Sequence, residues 1–143
     1  MHFRGQLSRS GGEGGSLRET SSGTSCTMET VVGPSGAETT LHPADGDMAF
    51  VETEIHMTGE QTFEGSGVLA FGDEGEDGLR FSTKAGQLGP SGVPGMLAGA
   101  ASWKVDGGDG RFASASGFIT SNFTVTESGE LNEYQCGLVF VKE

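Results

Sequence analysis

The chain has 143 residues, enough for one domain with one core, and 34% of them are apolar. Its 26 glycines exclude long helices, while nine phenylalanines and one tryptophan argue against disorder. The formal net charge of −12 repels polyanions, so nucleic acid and anionic membrane are not expected partners.

The N-terminal run MHFRGQLSRSGG carries basic residues but no apolar segment of the kind a secretory signal needs, and a cytoplasmic location is expected. Within it Phe3, Gly5 and Leu7 alternate with Arg4, Gln6 and Ser8, a short strand of period two. Residues 9–24, with GGEGGS and SSGTS, read as a glycine- and serine-rich loop or poorly ordered segment, or as loops around a weak strand near Leu17. SCTMETVV (25–32) reads as a strand ended by Gly33-Pro34-Ser35-Gly36, and Glu38–Leu41 leads to a second turn at 42–46. DMAFVETEIHMT (47–58) is the one serious helix candidate. Its alternation and its β-branched Val51, Thr53, Ile55 and Thr58 favour a strand.

QTFEGSGVLAF (61–71) and LRFSTK (79–84) are alternating runs joined by the polar turn 72–78, which predicts a β-hairpin. GQLGPSGVPG (86–95) reads as a loop, and MLAGAASWKV (96–105) as a strand closely approached by other backbone. A glycine-dense corner, DGGDG (106–110), feeds a strand over 112–126, and a last strand runs from Leu131 to Val141. Eight to ten strands without a helix predict an all-β fold. The glycines placed at its bends predict a single domain, a closed or nearly closed antiparallel β-barrel of about eight strands.

The pattern Gly107-Gly108-Asp109-Gly110-Arg111-Phe112-Ala113-Ser114-Ala115-Ser116-Gly117 resembles the corner of the allene oxide cyclase and dirigent barrels. It is also similar to that of small bacterial proteins of the same calycin-like shape. The likeness covers Gly59 to the C-terminus and is one of glycines and strands; Phe118-Ile119 depart from it where a polar strand start is expected. It implies a barrel that encloses a reactive apolar substrate or only binds or guides one. A shared fold does not transfer an activity.

Chemistry-bearing residues are few. Glu52, Glu54 and His56 share one face of one strand, either an acid/base group at a barrel mouth or a solvated acidic face. Trp103, Phe112, Phe118, Asn122, Tyr134 and Cys136 are candidates for an apolar pocket with polar anchors, set against ordinary core and surface positions. Tyr134 and Cys136 share a face with Leu138 and Phe140, which predicts burial in the lumen or against a second copy. The acidic turn 73–78 lacks the third and twelfth ligands of a calcium loop, carrying Gly75 and Lys84 there. Cys26 and Cys136 show neither CxxC nor metal spacing, so two free thiols are expected.

The expected function is an apolar small-molecule-binding barrel with no cofactor and no metal. If catalytic it is an isomerase or cyclase, with Glu54 and Tyr134 as acid/base candidates and His56, Trp103, Phe112, Phe118, Asn122 and Cys136 as ligand contacts. The alternative is a non-catalytic homo-oligomer whose lumen is filled by its own side chains.

Overall fold

The computed structural model describes residues 1–10, 16–43, 48–72 and 77–142, so the calcium-like turn, the GGEGGS run and most of the 42–46 turn lie wholly or largely outside the described residues. Ten strands occur among them: β1 (His2–Arg9), β2 (Ser16–Thr24), β3 (Cys26–Gly33), β4 (Gly36–Pro43), β5 (Ala49–Met57), β6 (Thr62–Phe71), β7 (Asp77–Pro90), β8 (Met96–Gly108), β9 (Ser116–Thr126) and β10 (Glu130–Phe140). Eight close into an antiparallel barrel in the order β1-β10-β9-β8-β7-β6-β5-β2, while β3 and β4 form a separate hairpin between β2 and β5. The expected barrel is therefore present. Each barrel strand pairs with its chain neighbour, apart from the step over that hairpin, and β1 with β10 makes the closure.

Alternation decides which side chains enter. In β5, Ala49, Val51, Thr53 and Ile55 are buried and Phe50, Glu52, Glu54 and His56 are exposed, so the helix alternative is out and the strand period holds. The lumen is filled chiefly by Phe3, Val51, Phe63, Leu69, Leu79, Phe81, Trp103 and Ile119. Trp103 meets Phe81 edge-on at 5.1 Å between ring centroids and Phe63 at 6.3 Å. The outer wall of β5 to β8 carries Glu52, Glu54, His56, Glu64, Lys84 and Lys104 beside the exposed Phe50 and Val68. No described helix is long and apolar enough to cross a membrane.

Three segments differ from the sequence expectation. Ser16–Thr24 is a full barrel strand, paired with β1 and β5 along its length, and its small inner residues Ser21 and Gly23 suit a strongly curved wall. The 86–95 loop is shorter than expected because β7 continues to Pro90. A bulge accounts for this: Thr83 points in, Lys84 and Ala85 both point out, and Gly86 points in again, so the two-residue period is lost and then resumes. Finally, β9 begins at Ser116, and Phe112 sits on a short 3-10 turn, Gly110–Phe112.

That turn answers to the glycine corner. Gly107, Gly110 and Gly117 hold φ of +93°, +57° and +140°, a region that side chains disfavour. A Cβ on Gly108 would overlap the carbonyl oxygen of Gly78, and Asp109 N–H donates to that same oxygen at 2.7 Å. The corner folds the chain across the end of the barrel and lays Phe112 on Phe71, with ring centroids 5.3 Å apart.

Candidate functional site

Polar side chains share the lumen with the aromatic ones. Glu19, Ser21, Thr53, Ser121, Glu133 and Gln135 are all buried and lie on inner faces of β2, β5, β9 and β10. Burial of a carboxylate is costly unless it is hydrogen-bonded or neutralised, so their arrangement carries information. Glu133 is beside Phe3 and Glu19 beside Leu7, on the two strands that flank β1. Those strands stand about 10 Å apart across β1. Between Phe3 and Leu7, the inner face of β1 carries only Gly5, and any Cβ there would overlap Thr20 and Ser21. The two glutamates reach toward each other over this glycine, close enough for each to bear on the other's proton.

The pair is embedded in a chain of hydrogen bonds. Trp103 Nε1 donates to Ser121 Oγ at 2.9 Å, and Ser121, opposite Gln135 in the β9–β10 pairing, lies beside the Glu133 carboxyl. Gln135 Nε2 donates to Glu133 Oε2 at 3.0 Å, and Ser21 Oγ donates to Glu19 Oε1 at 2.9 Å. Thr53 stands directly opposite Glu19 in the β2–β5 pairing, and its Oγ1 is sealed from solvent without a well-aligned partner. Burial pushes the Glu133 carboxyl up to about 8, and the neighbouring Glu19 charge adds to the rise. Burial raises Glu19 as well, against the hydrogen bond from Ser21 that favours its charge. Two carboxyls so close hold a proton between them at neutral pH.

At the end of the barrel closed by the glycine corner, the side-chain filling stops short. A recess of about 280 Å³ remains, lined by Leu69, Phe71, Leu79, Phe112, Ile119 and Val139, with Gln135 at its polar side. Gln135 thus belongs to both features: it lines the apolar recess and holds Glu133. Two clefts on the outer wall differ in kind. A groove of about 600 Å³ contains Arg18, Glu52, Glu54, Arg80 and Asp106, open and charged, where an apolar body gains little by leaving water. The other, of about 200 Å³, lies between the wall and the β3–β4 hairpin.

The residues singled out from sequence fall in five places. Trp103 is in the core and Phe112 lines the recess. Asn122, Tyr134 and Cys136 come together, but in the outer cleft beneath Cys26 and Leu41 of the hairpin, and Cys136 also borders the recess. Glu54 and His56 lie 3.6 Å apart on the outer wall, and His56 Nδ1 also meets Ser16 Oγ at 2.9 Å. Phe118 is exposed on the outer face of β9. Glu54, His56, Trp103 and Tyr134 therefore share no cavity. The face of Tyr134, Cys136, Leu138 and Phe140 points away from the lumen. Both cysteines are free thiols. Among the described residues no group of histidine, cysteine or carboxylate side chains has the arrangement of a metal site.

Sequence reasoning missed Glu19, Glu133 and Gln135. The available signal was parity: Glu133 and Gln135 alternate in phase with Leu131. The opposite face, with Tyr134, Leu138 and Phe140, is the more apolar and reads as the inner one. No protein-family model, curated protein or solved structure matches the chain. The fold is a closed, eight-stranded antiparallel barrel, consistent with a calycin-like shape.

Proposed function

We propose that this protein is a cofactor-free barrel that holds an apolar small molecule in the recess beneath Phe112. The supporting observation is the recess itself: an apolar volume of about 280 Å³ at the mouth of a lumen otherwise filled by side chains. Its size is at the lower edge of the ~300–1,000 Å³ usual for small-molecule sites. Turnover there takes the form of isomerisation or cyclisation, in which confinement of a flexible ligand near its reactive conformer does the work and no cofactor is needed. The polar side chain within reach of such a ligand is Gln135, held from behind by Glu133 at 3.0 Å, and it orients the ligand by hydrogen bonding in place of the outward-facing Glu54 and Tyr134.

Saturation-transfer NMR with naphthalene, an apolar bicyclic probe, tests the reading. Transfer from the methyl groups of Leu69, Ile119 and Val139 is expected, and its loss in Val139→Trp, which fills the recess from its half-exposed rim. Equal signals in both proteins, or none in either, contradict it.

One observation favours a second reading, an oligomerising barrel. Beyond Gln135 the strand β10 pairs with β9 alone, and Phe118, Leu138 and Phe140 stand exposed beside that free edge. Light scattering at micromolar concentration separates the two: a dimer or larger assembly abolished by Phe140→Lys supports the second reading, and a monomer rules it out.

A further inference from the structure

Among the described residues lining the recess, Gln135 is the one whose side chain carries an oxygen or a nitrogen. It is 8% exposed, and its Nε2 is committed to Glu133 Oε2 at 3.0 Å. The other half of the amide, Oε1, accepts no hydrogen bond from the described residues, nor is it sealed from solvent-sized probes as Thr53 Oγ1 is. Gln135 borders the outer cleft too, but its side chain is on the inner face of β10, so a half-satisfied amide there calls for a partner on the side of the recess.

The charge on that partner follows from what stands behind Gln135. Glu133 and Glu19 form a proton-sharing pair with no described cation against either carboxyl. A carboxylate head group would add a third acidic group to this region and lose its hydration in an apolar recess. An ammonium would lose its hydration too, for a carboxyl that holds its proton at neutral pH. Two described cations stand near the recess and both are engaged: the Met1 amino group donates to the backbone oxygen of Gln135 at 2.6 Å, and Arg111, lying over the Phe71 and Phe112 rings, pairs with Asp77 at 3.2 Å. An amide pairs well with an uncharged oxygen, as donor to a carbonyl or as acceptor from a hydroxyl. At about 30 Å³ per small group the hollow has room for about nine or ten non-hydrogen atoms.

We infer that the recess selects an apolar molecule of this size bearing one uncharged oxygen, a ketone or an alcohol, which hydrogen-bonds the Gln135 side-chain amide. The inference rests on the ligand-holding reading above and adds the head group to it. A site that hydrogen-bonds a head group rejects analogues lacking it, because its own polar atoms are then left unpaired.

The test is a nitrogen–proton NMR titration of the full chain at pH 7 with 2-nonanone, 1-nonanol, nonanoate and nonylamine. The ketone and the alcohol are expected to bind at least tenfold more tightly than the two charged probes and to shift the Gln135 side-chain amide pair. Nonanoate binding as tightly as the ketone would overturn the inference in favour of pairing with the Met1 amino group or Arg111. Nonylamine binding as tightly would overturn it in favour of pairing with Glu133. Equal binding of all four without a Gln135 shift would also overturn it, while leaving the apolar recess standing as a site. If none of the four perturbs Leu69, Ile119 or Val139, both the inference and the ligand-holding reading fall.

Discussion

Glu133 is the residue whose chemistry is most strongly set by the fold. In the unfolded chain its carboxyl ionises near 4.5, and in the barrel burial moves it to about 8. The folded state therefore binds the proton more tightly than the unfolded state. The resulting stability is fully present below the unfolded value and is lost as pH rises toward the folded one. Wild-type stability should fall between about pH 5 and pH 8, by up to about 1.4 kcal/mol per pH unit. Glu133→Gln keeps an amide where the carboxyl stood, still able to bond Ser121, Gln135 and Glu19, and removes that proton. Urea denaturation at several pH values should show most of the slope gone in the variant and a gain of a few kcal/mol over wild type at pH 8. An unchanged slope in Glu133→Gln would mean that the proton is held elsewhere.

The glycine corner between β8 and β9 does a different job from the glycines of the hairpin turn. A Cβ at Gly108 would overlap the Gly78 carbonyl oxygen, which already accepts a hydrogen bond from Asp109. At Gly33 nothing lies within 4 Å of the same added atom and φ is ordinary. Gly108→Ala should cost about 2–4 kcal/mol, and Gly33→Ala should lie within about 0.5 kcal/mol of wild type. Thermal melts of the two variants check this, and a mild Gly108→Ala would take the corner out of the closure.

These elements also show what could be read from residues alone. Alternation identified β5, β6 and β10 because their two faces differ in kind, and glycine density found the corner because only glycine tolerates that backbone. The inner face of β10 was not legible: Glu133 and Gln135 look solvated until Gly5, two strands away from β9, is seen to leave room for Glu19 to reach them. That information is in the pairing of distant strands, not in any local run. The bulge after Thr83 hid the rest of β7 for a related reason, since Lys84 and Ala85 break the period that marks a strand.

Taken as one molecule, the barrel closes by joining its first and last strands, with Gly5 opposite Ser21 on one side and Leu131 on the other. The β3–β4 hairpin stands outside this ring, and the polar chain inside it draws on β2, β5, β8, β9 and β10 together. A shift of one residue in the pairing of β10 would turn Glu133 and Gln135 outward and bring Tyr134 in. The recess would lose its polar side and the glutamates would part. Closure, register and the interior pair are thus one proposition. Carbon-13 NMR titration of the Glu133 side-chain carboxyl tests it in a single curve. The barrel described here predicts a midpoint near 8, with Glu19 titrating in the same coupled system. A midpoint near 4.5, the value of a glutamate in water, would place Glu133 outside and contradict the closed ring.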